Sequence, residues 1–212
     1  MRPRWKVCGI TTADDGMAAV EAGADAIGLV FYEPSLRAVT LERAAAISAR
    51  LPEETWRIGV FVDATVGEMD RAVAAVGLDF LQLHCDRPSR ANGDVAPLTR
   101  HAIKALRVSD ATTIDEADAL AARYPECTLL VDTASKRLYG GTGCTGNWSV
   151  AAHLAGRYRL FLAGGLNPSN VAAAVSQVQP WAVDVSSGVE SSPGRKDWAK
   201  LRAFAAALES NR

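Results

Sequence analysis

The stretch of sequence that decides the fold is Leu162-Ala163-Gly164-Gly165-Leu166-Asn167-Pro168-Ser169-Asn170-Val171. An apolar run ends there at two glycines, and we predict that a helix follows, with Asn167 as its N-cap and Pro168 as its first residue. A strand, a turn with exposed backbone N–H groups and the positive end of a helix would then lie together. Such a turn is well suited to hold a phosphate group.

A second turn of the same kind follows the strand-like run Ala182-Val183-Asp184-Val185. Its sequence is Ser186-Ser187-Gly188-Val189-Glu190. Two adjacent strand ends that offer N–H groups to one anion indicate a (β/α)8 barrel, in which the phosphate site follows strands 7 and 8. The phosphate-binding residues predicted from the two turns are Gly164, Gly165, Ser186, Ser187 and Gly188.

The rest of the chain alternates strand-like runs with helical segments, as a parallel sheet of βα units requires. Capping boxes that pair Thr65 with Glu68 and Thr113 with Glu116 mark two of the helix starts. We therefore predict a single α/β domain over residues 1–212, a closed (β/α)8 barrel, with an open doubly wound sheet as the alternative. The eight predicted strands are Lys6–Ile10, Ala26–Phe31, Arg57–Val62, Phe80–His84, Ala102–Arg107, Thr128–Asp132, Tyr158–Leu162 and Ala182–Val185.

Two segments look like copies of one unit within this pattern. They are Glu21-Ala22-Gly23-Ala24-Asp25-Ala26-Ile27-Gly28-Leu29 and Ala75-Val76-Gly77-Leu78-Asp79-Phe80-Leu81-Gln82-Leu83. In each copy a helix is predicted to end at a glycine in the C′ position, and an aspartate then precedes an apolar strand.

Composition and charge argue against several classes of protein. The chain has 212 residues, 49% of them hydrophobic, and its net charge of −1 comes without a long Lys/Arg run, so a nucleic-acid surface is not expected. No apolar segment reaches the roughly 18 residues that cross a bilayer, and the N-terminus lacks the apolar core of a signal peptide, so we expect a cytoplasmic protein without a membrane partner. The cysteines (Cys8, Cys85, Cys127, Cys144) and the histidines (His84, His101, His153) lack metal-binding spacing, so reduced thiols and no metal are expected.

The chemistry of such a barrel takes place at the C-terminal ends of its strands, and two residues there are candidate catalytic groups. Cys8 shares a strand face with Lys6, whose ammonium would favour the thiolate form of a catalytic base. The alternatives are a Cys8 that only fills space and a Lys6 that forms a structural ion pair with Asp184. Asp132 ends an apolar strand, where partial burial would raise the pKa of its carboxyl and suit it to donate a proton, unless it is a solvated or capping residue.

Other polar residues near the strand ends are candidates for binding. Arg37 follows strand 2, and its guanidinium could hold a carboxylate, although a surface arginine is the commoner case. Gln82 and His84 share a face of strand 4, where they either line a pocket or pack as polar core groups. The glycine-rich stretch from Thr133 to Asn147 predicts a mobile active-site loop, in which Gly140-Gly141-Thr142-Gly143 either wraps a ligand or serves as a flexible link.

Taken together, these motifs resemble the phosphoribosylanthranilate isomerase family, in the same order and over nearly the whole chain. The resemblance implies a (β/α)8-barrel enzyme of tryptophan biosynthesis that needs neither a metal nor an organic cofactor. The family's reaction is an Amadori rearrangement, in which the aminoaldose N-(5′-phosphoribosyl)anthranilate becomes an aminoketose. The matching motifs are Lys6-Val7-Cys8-Gly9-Ile10-Thr11, Gly28-Leu29-Val30-Phe31, Ser35-Leu36-Arg37, Gly59-Val60-Phe61, Leu81-Gln82-Leu83-His84, Asp132-Thr133, Gly140-Gly141-Thr142-Gly143, Ala163-Gly164-Gly165-Leu166-Asn167-Pro168 and Asp184-Val185-Ser186-Ser187-Gly188-Val189-Glu190.

The same resemblance implies a role for each site residue. Asp132 would be the general acid that protonates the furanose ring oxygen, and Cys8 the general base that takes the C2′ proton. Arg37 would bind the anthranilate carboxylate, and the two glycine turns would bind the phosphate. Further substrate contacts are expected from Gln82, His84, Gly141 and Gly143. The expected partner is the small phosphorylated aminosugar alone, with the chain a monomer or a homodimer.

Three positions depart from the family pattern. Leu36 stands where the family usually has proline, so we expect a looser loop around Arg37 and weaker substrate binding. Cys85 stands where glycine is usual, and Asn147 where aspartate is typical.

The alternatives are other barrel enzymes that act on phosphorylated sugars and a barrel without enzymatic activity. Indole-glycerol-phosphate synthase uses Lys and Glu residues, and pentose-phosphate epimerases a metal held by His and Asp, and neither set stands at these strand ends. A barrel that only senses a phosphorylated metabolite would have no reason to place Cys8 and Asp132 on opposite sides of a sugar.

Overall fold

The protein is a closed barrel of eight parallel strands in chain order, as seen in a computed structural model that describes residues 2–84, 101–133 and 147–210. Strand β1 pairs with both β2 and β8, which confirms the (β/α)8 barrel and excludes the open sheet. The strands are β1 Arg4–Cys8, β2 Ala26–Phe31, β3 Trp56–Val62, β4 Phe80–His84, β5 Ala102–Arg107, β6 Thr128–Asp132, β7 Leu160–Ala163 and β8 Ala182–Val185. The surrounding helices are α1 Ala13–Glu21, α2 Leu41–Ser48, α3 Val66–Val76, α4 Ile114–Ala121, α5 Trp148–Ala155, α6 Val171–Val178 and α7 Trp198–Glu209.

Five strands have the predicted bounds, and β1, β3 and β7 are shifted. The shift of β1 matters most, because it was predicted to run to Ile10 and it ends at Cys8. Gly9 has a φ of 76°, which a strand cannot accommodate but a glycine adopts freely. Cys8 is therefore the last residue of its strand, at the mouth of the barrel.

The start of α6 differs from its prediction. Asn167 is not the N-cap and Pro168 is not the first helical residue, because α6 begins at Val171. The side-chain oxygen of Asn167 instead accepts the N–H of Ser169 at 2.8 Å, and that of Asn170 accepts the N–H of Asn167 at 2.8 Å. Two asparagine side chains thus close a turn where the helix was expected, and the helix begins three residues later.

The internal repeat and the two capping boxes follow the prediction. Asp25 accepts the N–H of Trp5 at 2.9 Å, and Asp79 accepts the N–H of Arg57 at 2.7 Å. In return, the backbone N–H of Asp25 donates to the carbonyl of Trp5 at 3.0 Å, and that of Asp79 donates to the carbonyl of Arg57 at 2.9 Å. Each copy therefore ties the start of one strand to the connection that enters the next. Both predicted capping boxes, which begin α3 and α4, are also present.

The N-terminal end of the barrel is filled by aromatic rings. Trp56 stacks on Trp181 with ring centroids 5.8 Å apart, and Phe80 meets the edge of Trp56 at 5.3 Å. Arg4 lies 4.5 Å above the Trp56 ring and Arg159 lies 4.3 Å above the Trp181 ring, both in cation–π geometry. This end is packed shut, so the polar interior of the barrel faces the C-terminal ends of the strands.

After β8 the chain forms a 3-10 turn, Ser187–Val189, and then a short antiparallel hairpin before α7. The hairpin consists of β9 Glu190–Ser192 and β10 Arg195–Lys196. Across the described ranges, each helix is too short or too polar to cross a membrane.

Candidate active site

The floor of the candidate active site is a buried ion pair between β1 and β8. The ammonium of Lys6 donates to Asp184 Oδ2 at 2.9 Å and to Gln82 Oε1 at 2.8 Å. Lys6 is 0% exposed and Asp184 is 8% exposed. Burial alone would lower the pKa of Lys6, but the attractions of Asp184 and Cys8 together outweigh it and raise that pKa, so Lys6 stays charged. The structural ion pair predicted from strand alternation is confirmed.

This lysine also fixes the chemistry of His84, through Gln82. Because Gln82 Oε1 accepts from Lys6, the amide nitrogen of Gln82 faces His84 Nε2, at 2.8 Å. His84 Nε2 must then accept a hydrogen bond, which places the proton of a neutral ring on Nδ1. Burial, reinforced by the charge of Lys6, lowers the pKa of His84 to about 4. The sequence pattern left open whether these two residues line a pocket or pack as polar core groups; Gln82 is fully buried in the floor, and half-buried His84 ends β4.

The thiol of Cys8 stands at the end of β1, above the ion pair. A Cβ added at Gly28 would lie 2.9 Å from Cys8 Sγ and 2.9 Å from Lys6 Cε, so the missing side chain leaves room for both groups. Burial raises the pKa of the Cys8 thiol, and the nearby charge of Lys6 offsets only part of that rise. The net shift in the pKa of Cys8 is opposite to our expectation, because the unfavourable desolvation of the thiolate is larger than its attraction to one ammonium group.

Asp132 occupies the end of β6, where it was predicted to lie. Its register partners are Arg107 on β5 and Ala163 on β7, and its side chain is partly exposed. Its charge reaches the floor of the site: after burial, which is the largest cause, Asp132 also raises the pKa of Asp184. Strands β7 and β8 separate Asp132 from Cys8, so the two groups stand apart around one mouth.

Arg37 reaches from the loop after β2 across the end of β1. A Cβ at Gly9 would collide with Arg37 Cδ, so the arginine stem lies directly on that backbone. Its guanidinium forms a bidentate pair with Glu190, with Nε 2.8 Å from Oε1 and Nη2 2.6 Å from Oε2. Glu190 in turn contacts Lys196 Nζ at 2.9 Å.

Glu190 and Lys196 are functional candidates that the sequence analysis did not single out. Glu190 stands in the strand 8 motif, which was a usable signal. Lys196 lies in a polar stretch typical of an exposed turn, and nothing in that pattern shows that its side chain is buried.

Two of the three departures from the family pattern have a structural counterpart. The loop around Leu36 is held without proline, because Ser35 Oγ accepts the N–H of Arg37 at 3.1 Å while Leu36 itself is 77% exposed. Asn147 caps α5 through Oδ1 and donates with Nδ2 to the carbonyls of Ser109 and Thr112, at 3.1 and 2.9 Å. An aspartate could not make those two donations.

The turns after β7 and β8 meet backbone to backbone. A Cβ at Gly188 would collide with the carbonyl oxygen of Leu166 and lie 3.0 Å from the Cα of Asn167, so only glycine fits there. Within the described ranges, the backbone N–H groups of Gly165, Ser187 and Gly188 donate to no protein acceptor. Gly164, whose φ is 95°, precedes this group. The turns therefore offer several N–H donors at one place.

The second turn is also tied to the end of β1, because Ser186 Oγ donates to the carbonyl of Cys8 at 3.1 Å. Gly141, Gly143 and the rest of the predicted loop from 134 to 146 lie outside the described residues, as does Cys85. Among the residues that are described, no cluster of His, Cys, Asp and Glu side chains could hold a metal ion.

Comparison with known proteins gives a consistent result. Residues 5–207 match the family model described as N-(5'phosphoribosyl)anthranilate (PRA) isomerase. An N-(5'-phosphoribosyl)anthranilate isomerase from Geobacter metallireducens is 45% identical over 201 residues, which cover 95% of this chain and 96% of the relative.

Solved structures agree with the sequence relatives. A monomer generated from the dimeric enzyme of Thermotoga maritima has a TM-score of 0.84 and 36% identity, covering 98% of this chain and 99% of that one. A phosphoribosyl anthranilate isomerase in complex with reduced 1-(o-carboxyphenylamino)-1-deoxyribulose 5-phosphate has a TM-score of 0.82 and 36% identity, with the same coverage.

The tautomer of His84 can be tested by NMR. We expect its Nε2 to stay unprotonated and its Nδ1 to stay protonated between about pH 6 and pH 8, because the lowered pKa lies below that window. The measurement is the ¹⁵N shift of both ring nitrogens across the titration. A titration midpoint of His84 near the ordinary histidine value, or a proton on Nε2, would contradict the chain of hydrogen bonds from Lys6.

The backbone contact of the two turns can be tested with Gly188→Ala. The added methyl group must displace the Leu166 carbonyl, so we expect the free energy of unfolding to fall by about 1–3 kcal/mol, the usual cost of overpacking. Urea unfolding measures this. The matched control is Gly67→Ala in α3, where nothing lies within 4 Å of the new Cβ and no loss of stability is expected. Equal stability of the Gly188→Ala protein and the parent would show that the turns do not touch.

Proposed function

The chain belongs to the N-(5′-phosphoribosyl)anthranilate isomerase family, and from that premise we propose which of its residues carry out the reaction. It is an isomerase of tryptophan biosynthesis, which converts N-(5′-phosphoribosyl)anthranilate to 1-(2-carboxyphenylamino)-1-deoxyribulose 5-phosphate. The observation that carries the assignment of roles is the placement of a thiol and a carboxyl on separate strand ends around one polar mouth. Cys8 is the general base and Asp132 is the general acid.

The proposed reaction needs only these two proton carriers. Asp132 donates a proton to the furanose ring oxygen; the C1′–O bond breaks and the nitrogen lone pair forms the C1′=N bond of a Schiff base. The Cys8 thiolate then removes the C2′ proton; the C2′–H electrons form the C1′=C2′ bond, and the C1′=N electrons return to the protonated nitrogen to give an enolamine. Proton transfer from the C2′ hydroxyl to C1′ gives the ketone. General acid–base catalysis of this kind contributes about 10²–10⁴-fold for each group.

Arg37 binds the anthranilate carboxylate in this proposal, because Glu190 occupies only one edge of its guanidinium. Glu190 uses the edge of the guanidinium formed by Nε and Nη2. Nη1 has no partner among the described residues and, with the second hydrogen of Nη2, presents another edge of the fork. A carboxylate bound there would lie next to the end of β1, where Cys8 stands.

The phosphate is bound at the turns after β7 and β8. The support is the group of N–H donors at Gly165, Ser187 and Gly188, together with the contact that holds both turns in register. Gly164 and Ser186 complete the predicted set, Ser186 by its link to the Cys8 carbonyl.

The sugar between these two ends is held from below. Asp184 Oδ1 is buried and has no hydrogen-bond partner in the described part of the chain. An unsatisfied buried acceptor costs about 1–3 kcal/mol, and a sugar hydroxyl is a donor that would remove this cost. His84 offers its Nδ1–H as a neutral donor, while Gln82 acts by orienting His84.

Some wider properties stay proposals. We place the enzyme in the cytoplasm, where free thiols such as Cys8 and Cys127 persist. We take residues 1–212 as one catalytic domain, either monomeric or homodimeric.

The isomerase activity is tested directly by adding N-(5′-phosphoribosyl)anthranilate to purified protein and following the change in anthranilate fluorescence. For the catalytic pair, we expect Cys8→Ser and Asp132→Asn each to lower kcat by at least ~10²-fold. Matched controls are Cys127→Ser, at a half-buried thiol outside the barrel mouth, and Asp70→Asn, on the exposed face of α3; both should keep kcat. Near-parental turnover in either catalytic variant would remove that residue from the mechanism.

The role of Arg37 is tested by Arg37→Lys. Lysine keeps the charge but cannot bind two carboxylates with one planar fork, so we expect KM to rise by about tenfold, with a smaller change in kcat. Steady-state kinetics measure both constants, with Arg43→Lys on the exposed side of α2 as the control. An unchanged KM would show that the substrate carboxylate is bound elsewhere.

A further inference from the structure

The hairpin of β9 and β10 is fastened to the barrel on its inner side. Thr11 Oγ1 donates to the carbonyl of Gly194 in the hairpin turn at 2.6 Å. Asp15, buried at the start of α1, accepts the backbone N–H of Lys196 at 3.1 Å and the indole N–H of Trp198 at 3.0 Å. The backbone of Lys196 is therefore fixed by α1, and its side chain points toward the mouth.

The ammonium of Lys196 connects three parts of the site. Nζ lies 2.7 Å from the carbonyl oxygen of Cys8, 2.9 Å from Glu190 Oε1 and 3.4 Å from the carbonyl oxygen of Ser186. These three acceptors match the three N–H bonds of an ammonium group. The side chain of Lys196 is 0% exposed and that of Glu190 is 4% exposed, so the pair is shielded from solvent.

We infer that Lys196 and Glu190 are positioning residues of the reaction: Lys196 sets the end of β1 and the charge around Cys8, and Glu190 orients Arg37. The inference rests on the proposed roles of Cys8 and Arg37. Glu190 connects the two residues, because its carboxylate accepts hydrogen bonds from both Lys196 and the guanidinium of Arg37.

The charge balance gives this pair an effect on the thiol that packing alone would not have. The ion pair of Lys6 and Asp184 is neutral as a unit, so the remaining groups decide the sign of the local charge. The cations Arg37 and Lys196 and the carboxylate of Glu190 together leave one net positive charge near Cys8. Burial raises the pKa of Cys8, Lys6 lowers it and Asp184 raises it; Lys196, with a smaller effect than these, also lowers it. The charged groups that interact with the thiol are Lys6, Asp184, Lys196 and Arg37, and Glu190 binds the last two.

Loss of the Lys196 charge and loss of the Glu190 charge should therefore shift the pKa of Cys8 in opposite directions. Lys196→Met removes a positive charge and raises the pKa of Cys8, while Glu190 keeps Arg37 as a partner. Glu190→Gln leaves two cations without their carboxylate and lowers the pKa of Cys8. If the substitutions only loosened the hairpin, the pKa of Cys8 would shift in the same direction in both variants.

The test follows alkylation of Cys8 by iodoacetamide against pH in the free enzyme, with the modified peptide identified by mass spectrometry. Near neutral pH we expect Lys196→Met to slow alkylation by about tenfold, equal to one pKa unit, and Glu190→Gln to speed it by about threefold. Lys196→Arg should keep the parental rate, because it restores the charge. Lys200→Met is the matched control: Lys200 Nζ donates to the carbonyl of Glu190 at 2.7 Å, so this change removes a lysine from the same segment without touching Cys8.

Steady-state kinetics separate the inference from the proposed function. For Lys196→Met we expect kcat at neutral pH to fall by about tenfold and to recover as pH rises, because a base with a raised pKa needs a higher pH to lose its proton. For Glu190→Gln we expect mainly a higher KM. If alkylation shifts as expected but the pH profile of kcat does not move, Lys196 acts on Cys8 and the assignment of Cys8 as base is wrong.

Two results would overturn the inference itself. One is an unchanged alkylation profile in Lys196→Met, and the other is a shift of the same sign in Lys196→Met and Glu190→Gln. Circular dichroism and thermal melting establish that each variant is folded. If Lys196→Met does not fold, Lys196→Gln takes its place, since it keeps hydrogen-bond donors and removes only the charge, and the same alkylation shift is expected.

Discussion

The site depends on one charge that is buried in the middle of the barrel. Lys6 has no exposed surface, and its ammonium must be satisfied by the strands around it. It takes Asp184 from β8 and Gln82 from β4, and in doing so fixes the orientation of both. A buried ion pair of this kind is weak evidence for stability, since apolar residues of similar volume often do as well. Its effects on His84 and Cys8 give a functional reason for its presence.

The two ends of the barrel divide the work of the fold. At the N-terminal end, rings and arginines pack into a closed layer, and the buried groups there are apolar or stacked. At the C-terminal end, the strands finish in a thiol, a carboxyl, an imidazole and two glycine turns. A substitution at the first end therefore acts on folding, whereas one at the second also acts on binding and proton transfer under the proposed roles of these residues.

Much of this architecture could be predicted from the sequence, and the misses have physical causes. Apolar runs that end at glycine or at a polar residue predicted five strands with their bounds, and Cys8 and Asp132 lie at strand ends as predicted, while their catalytic roles stay a proposal. The end of β1 was missed because Gly9 and Ile10 read as strand, although Gly9 has a positive φ. Lys196 and the net pKa direction of Cys8 were missed for one shared reason: both depend on burial, which arises from contacts between distant segments such as α1 and the hairpin.

The contact of Gly188 with the Leu166 carbonyl has a consequence for how such an enzyme changes over evolutionary time. In the proposed function, the phosphate is bound by main-chain N–H groups of these two turns, and their close approach depends on the glycine at position 188. Mutations at the ends of β1, β4 or β6 can then alter what happens to the sugar while its anchor stays in place. The barrel thus keeps the phosphate-binding turns separate from the catalytic side chains, which can be exchanged without them. This separation allows one scaffold to serve many reactions on phosphorylated sugars.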